Sequence, residues 1–214
     1  MALYPNVFRE TCELGGKTLT IETGRMAKQA AGSVVLTHGE TVVLVTVTTT
    51  YKPRPGLDFF PLVCDYVEKT YAAGKLPGGF FKREGRHSEE ATLNCRLIDR
   101  PIRPLFPDGF KNEVQVVATV LSVDQETNPG ILGLIGASAA LSISDIPWNG
   151  PVAATTVGRI DGEWVACPPI KTEDSDLDLL LAARPDGLVM VEGSANELTE
   201  SEVVEALDLL DGRL

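Results

Sequence analysis

Cysteine and histidine are scarce in this chain: 214 residues hold four of the first and two of the second. Cys12, Cys64, Cys95 and Cys167 lie far apart and never form a Cys-x-x-Cys pair. Neither a zinc knuckle nor a dithiol motif is indicated, and four reduced core thiols are expected. His38 and His87 have no Ser or Cys partner at a spacing that nucleophilic triads use. No stretch approaches the roughly 18 consecutive apolar residues a membrane helix needs. The start, MALYPNVFRE, has no basic segment followed by an apolar run, so a cytoplasmic protein without a membrane partner is expected. Nor is there low complexity, because the fourteen prolines and twenty glycines are dispersed. Basic residues are also in deficit: 19 Lys and Arg face 30 Asp and Glu, for a net charge of -11. Taken whole, that balance argues against a protein that coats nucleic acid, which needs cations for the phosphates.

The charge is unevenly spread, however, and locally the balance reverses. Residues 69–103 hold eight cations (Lys69, Lys75, Lys82, Arg83, Arg86, Arg96, Arg100, Arg103) against four acids (Glu84, Glu89, Glu90, Asp99). Residues 161–214 hold fourteen acids against Lys171, Arg184 and Arg213. Basic and acidic character are segregated along the sequence, and the acidic third reads as a solvated face. With 43% hydrophobic residues the chain is long enough to bury a substantial core, and one domain over 1–214 is the default.

The first sixty-odd residues read as strands: Thr18 to Thr23, Ser33 to Thr37 and the β-branched run Thr41 to Thr50, whose side chains suit a pleated sheet. His38-Gly39-Glu40 reads as a three-residue hairpin turn, and Phe59 to Val67 as a further strand. Ser88 is placed to cap a helix carrying Glu89 and Glu90 in its first turn. It should run to about Asp99 and end or kink before Pro101. Glu113 to Val123 reads as a strand buried on both faces. Ile131 to Leu141 is apolar or small on every side, the pattern of a helix packed closely on a sheet. Strands follow at Ala153 to Ile160, Glu163 to Ala166, Leu177 to Ala183 and Leu188 to Glu192. Thr199-Glu-Ser-Glu202 has the capping-box spacing of a final helix. The class is α+β with a mixed β-sheet and packed helices.

The oddest segment is Lys75 to Arg86, where Pro77 and three glycines bar regular structure while Phe80, Phe81 and four cations share one loop. Exposed aromatics need a reason, and single-stranded RNA supplies one: bases stack on the rings while Lys82, Arg83 and Arg86 follow phosphates. The alternative, left open by the pattern, is that both rings fold onto the core or fill a subunit interface. Arg96 and Arg100 share a helical face, with Arg103 beyond the proline. They line an anion path or pair with Glu89, Glu90, Asp99 or the acidic tail. No complete phosphate-loop or dinucleotide fingerprint is present. Asp174, Asp176 and Asp178 lack the glycine and closing Glu of a calcium loop and read as exposed acids. No catalytic residue and no metal ligand is assigned within the chain.

At Phe80-Phe-Lys-Arg-Glu-Gly-Arg86 and Arg96-Leu-Ile-Asp-Arg-Pro-Ile-Arg-Pro-Leu-Phe106 the sequence resembles the bacterial polynucleotide phosphorylase family. Glu22-Thr-Gly24, Gly39 to Leu44, Asn112 to Gln115 and Ile135 to Ala140 extend the resemblance over essentially the whole chain. It implies a ribonuclease PH-like fold (ribosomal protein S5 domain 2-like), the first of two such core domains in a longer protomer that carries KH and S1 domains and assembles as a homotrimer. It also implies 3′-to-5′ phosphorolysis of single-stranded RNA to nucleoside diphosphates, as in mRNA degradation, with inorganic phosphate as co-substrate. Mg²⁺ and the main phosphate site would belong to the second core domain, so this stretch alone is expected to be inactive. RNA-degradation machinery is an expected partner. Phe80, Phe81, Lys82, Arg83 and Arg86 would form the constriction at the channel mouth. Where the family commonly has arginine, Lys82 keeps the charge and loses the planar fork. A noncatalytic RNA-guiding ring subunit of exosome type is the competing expectation.

Overall fold

The β-branched run forms β4 (Thr41–Thr49), with Val43, Val45 and Val47 fully buried on one face. In the computed structural model, which describes residues 6–124, 126–170 and 175–211, β4 sits in a six-stranded sheet ordered β1-β2-β3-β4-β6-β5. Its other members are β1 (Phe8–Leu14), β2 (Lys17–Thr23), β3 (Gly32–His38), β5 (Leu62–Val67) and β6 (Val114–Ser122). All pairs are antiparallel except β5 with β6, which makes the sheet mixed, as expected.

A second, antiparallel sheet holds β7 (Ala153–Ile160), β8 (Glu163–Ala166), β9 (Leu177–Arg184) and β10 (Gly187–Ala195), ordered β10-β9-β7-β8. Between the two sheets runs α2 (Pro129–Ser142), and its burial explains a composition that is small or apolar all round. Its side chains share one core with Val43 and Val45 of the first sheet and with Ala154 and Ala182 of the second. The capping box opens α3 (Glu200–Asp211): the Glu202 carboxylate accepts from the Thr199 amide at 2.9 Å and hydroxyl at 2.8 Å, and from Arg159 at 2.7 Å. Those bonds hold its carboxyl at about 2.

Several expectations need correction. The β3–β4 turn has two residues, not three, because His38 pairs with Thr41 and Gly39 alone takes a left-handed φ of 60°. β6 is not buried on both faces: Val114, Val116, Ala118 and Val120 point inward, while Gln115 is exposed and Val117 and Thr119 are partly covered. The strand expected from Phe59 begins at Leu62. β1 gave no apolar alternation, being an edge strand with six of its seven residues exposed. The proline does not end α1, which spans Glu89–Ile102. Pro101 falls in the last turn, where it removes one backbone donor while its ring is buried, and the Arg103 amide still closes on the Asp99 carbonyl. Lys171 and Asp174 lie outside the described residues, as does the terminal Gly-Arg-Leu. Asp178 is exposed on β9, with Asp176 just before it.

Two polar knots join the elements. Buried His38 places Nε2 2.9 Å from the Leu14 carbonyl and Nδ1 3.0 Å from the Thr127 hydroxyl, which makes Nε2 the protonated nitrogen and spends the ring on structure. The Asp124 carboxylate accepts from the amides of Glu40, Glu126 and Thr127 and from the Thr41 hydroxyl. Burial works to raise its carboxyl, but these four donors outweigh it and hold the group well below the usual carboxylate range. A depressed carboxyl contributes stability above its unfolded value and loses that contribution as pH falls through the folded one. Asp124→Asn should therefore cost about 1–2 kcal/mol in urea melts at pH 7, and the difference from wild type should shrink below about pH 4.

Candidate nucleic-acid interface

Past β5 the chain makes a short 3-10 turn (Thr70–Ala73) and then an irregular loop that returns to Ser88, the N-cap of α1. Pro77, Gly78 and Gly79 keep this loop from joining sheet or helix. At its tip Phe80 and Phe81 are 93% and 79% exposed, so neither ring folds back onto the core. Their centroids are 5.3 Å apart with planes at 86°, an edge-to-face pair. Lys82 has a left-handed φ of 50°, uncommon for a residue with a side chain.

Lys82, Arg83 and Arg86 are exposed, and among the described residues no carboxylate lies within ion-pair distance of any of them. Beneath the loop opens a cavity of about 560 Å³ bordered by Glu68, Lys69, Thr70, Glu84, Arg86 and His87.

The arginines of α1 divide. The Ser88 hydroxyl accepts from the Ala91 amide at 2.9 Å, and the turns that follow bury Ala91, Asn94 and Ile98. Leu93, Arg96 and Arg100 consequently face outward. Arg96 has no partner among the described residues. Arg100 is paired with Glu192 on β10, at the acidic end of the chain. Arg103 is the most committed: its guanidinium meets both oxygens of Asp99, donates to the carbonyls of Phe60 and Leu62, and lies 5.9 Å from the centre of the Phe60 ring. The loop cations and Arg96 are thus free to meet a polyanion, whereas Arg100 and Arg103 would first have to leave carboxylates.

Sequence reasoning missed two side chains that shape this surface. Glu84 accepts from the Thr70 amide and hydroxyl, and Ser88 donates to Glu68 at 3.1 Å. Fourteen to twenty positions separate the partners, and no local pattern announces such a tie. The cysteines are not all core thiols as expected: Cys12 is exposed on the edge strand β1, while Cys64, Cys95 and Cys167 are half-buried. Burial foremost, then Asp99, pushes the Cys64 thiol far up, so it stays protonated. Among the described residues no three His, Cys, Asp or Glu converge to hold a metal ion, and no helix is long and apolar enough to cross a membrane.

Two family models match consecutive parts of the chain: 3′ exoribonuclease family, domain 1, over residues 15–147, and the same family's domain 2 over residues 150–209. The break falls between α2 and β7, where the first sheet gives way to the second. Among curated proteins, the polyribonucleotide nucleotidyltransferase of Sorangium cellulosum is 59% identical over 200 residues, 93% of this chain and 26% of that protein. The enzyme of the same name from Heliobacterium modesticaldum is 59% identical over 196 residues, 91% and 28% respectively. The chain therefore spans about a quarter of the length of these relatives. Among solved structures, a chain of the Archaeoglobus fulgidus exosome with RNA bound to the active site superposes with a TM-score of 0.64 at 18% identity, covering 97% of this chain and 84% of that one. Rice Rrp46 superposes at 0.66 and 14% identity, covering 96% and 87%. At such identities the two structures establish the ribonuclease PH-like fold and nothing finer.

Proposed function

Because the chain belongs to the 3′ exoribonuclease family, we propose that it is the RNA-channel domain of a polyribonucleotide nucleotidyltransferase, the first ribonuclease PH-like core of a longer protein that shortens single-stranded RNA from its 3′ end. In the whole enzyme an oxygen of inorganic phosphate bonds to the phosphorus of the terminal nucleotide. The bond from that phosphorus to the 3′ oxygen of the preceding nucleotide breaks, and that oxygen takes a proton. A nucleoside diphosphate leaves with each step. Mg²⁺ would supply charge stabilisation at the transferred group, and by the family resemblance its ligands and the main phosphate site belong to the second core domain, outside this chain. A homotrimer in the cytoplasm, in contact with other RNA-degradation proteins, is the setting we assign.

The role left to this chain is to grip and orient the strand. The observation that carries this is the pairing of two exposed phenyl rings with three cations that have no carboxylate partner among the described residues, in a chain whose net charge is -11. Rings accept any base and cations follow any phosphate, the tolerance an exonuclease that must meet every base needs. Binding should weaken steeply with salt. Replacing Lys82, Arg83 and Arg86 together by alanine should make the slope of log K against log salt less negative by about 2, at roughly 0.7 per neutralised phosphate on a single strand. A titration of oligonucleotide binding from low to high salt checks this, and an unchanged slope would remove these cations from the interface.

A further inference from the structure

The loop that bears the two rings has few ties to the rest of the molecule. Between Leu76 and His87, Glu84 is the only residue among those described whose side chain is hydrogen-bonded to anything outside the loop. Its Oε1 accepts from the Thr70 amide at 3.0 Å and the Thr70 hydroxyl at 2.8 Å. Thr70 opens the 3-10 turn at the loop's root, and its carbonyl in turn accepts from the Lys75 amide at 3.0 Å. One residue therefore holds the loop at both ends. Bonds from the Thr70 hydroxyl and amide lower the Glu84 carboxyl below its ordinary value, so it is ionised and accepting at neutral pH.

We propose that Glu84 is a positioning residue: by latching onto Thr70 it holds Phe80, Phe81, Lys82 and Arg83 in the arrangement that receives RNA. This rests on the reading of the loop as an RNA grip. Glycine at 78, 79 and 85 leaves the loop little stiffness of its own, and an unlatched loop would occupy the competent arrangement only part of the time. Apparent affinity falls in proportion to that fraction.

The proposal has a distinguishing sign. Glu84 lies two positions from Lys82 and from Arg86, amid cations meant for phosphate. As a charge alone, its removal would relieve repulsion and tighten RNA binding. As a latch, its removal must weaken binding despite that relief.

The test is single-stranded RNA affinity in the protein at its full native length, for Glu84→Ala, Glu84→Gln and Thr70→Val, with Phe80→Ala/Phe81→Ala measured alongside. The expected result is a loss of about fivefold or more for Glu84→Ala, with salt slope and melting temperature unchanged. Glu84→Gln should retain most of the affinity, since its amide oxygen still accepts both donors. Thr70→Val should fall between, and adding it to Glu84→Ala should do no further harm. Equal or tighter binding by Glu84→Ala overturns the latch if the double phenylalanine variant binds weakly. If that variant binds normally too, the RNA-grip reading itself has failed.

Discussion

Alanine at both Phe80 and Phe81 is expected to weaken single-stranded RNA binding about 30- to 100-fold while leaving the fold intact. Stacking contributes roughly 1–3 kcal/mol per base, so two fully used rings would give about 2–6 kcal/mol. The lower part of that range applies, because planes at 86° cannot both lie flat on consecutive bases without one ring turning. The rings bury almost no surface of their own, so truncation opens no cavity and the melting temperature should stay within a degree or two. The loss should be similar for purine and pyrimidine oligomers, since every base has a face to stack. Fluorescence anisotropy with two homopolymers, beside a thermal melt, provides the measurement. Wild-type affinity in the variant would end the case for stacking. A fall of many degrees in melting temperature would mean that the rings serve packing instead.

That surface was legible in advance for a physical reason. Glycine, proline, aromatic and cationic residues crowded into Lys75–Arg86 contradict every regular element, and such local contradiction singles out a candidate site. The kinds of partner for the α1 arginines, Asp99 and the acidic tail, were also legible; what lay beyond reach was which arginine each would take. Spacing placed Arg96 and Arg100 on one helical face correctly, yet Arg100's partner is Glu192, ninety-two positions on, and only the docking of β10 beside α1 brings it there. Glu84 and Thr70 were hidden in the same way. Among the elements, β4 and α2 declared themselves because burial imposed their composition. β1 stayed silent because an exposed edge strand imposes none. The division into two sheets escaped notice too, since period-two alternation says which residues share a face and not which strand lies alongside.

Burial all round α2 leads to the largest expected loss of stability. Glycine at 136 lets the helix lie directly on the first sheet: a Cβ added there would stand 2.4 Å from Val45 Cγ2 and 2.6 Å from Leu36 Cδ1. Both neighbours are fully buried, so neither has an empty rotamer to turn into. The helix must lift instead, and lifting it separates Leu132, Leu134 and Ala137 from the core they share with the sheet. For Gly136→Ala the strain, about 1–3 kcal/mol, is partly offset by the gain of about 1 kcal/mol in helix propensity. Gly136→Val gains less propensity and adds two more carbons to the same contact, so a loss of about 4 kcal/mol or more is expected, a large share of the 5–15 kcal/mol that typically holds a domain together. At about 2–4 °C per kcal/mol the midpoint should drop by some 8–16 °C. Gly78→Ala is the control, with nothing within 4 Å of its added carbon and no left-handed backbone. It should melt with wild type, and a Gly136→Val protein that did the same would show that α2 does not rest on the sheet as closely as its sequence of small residues implies.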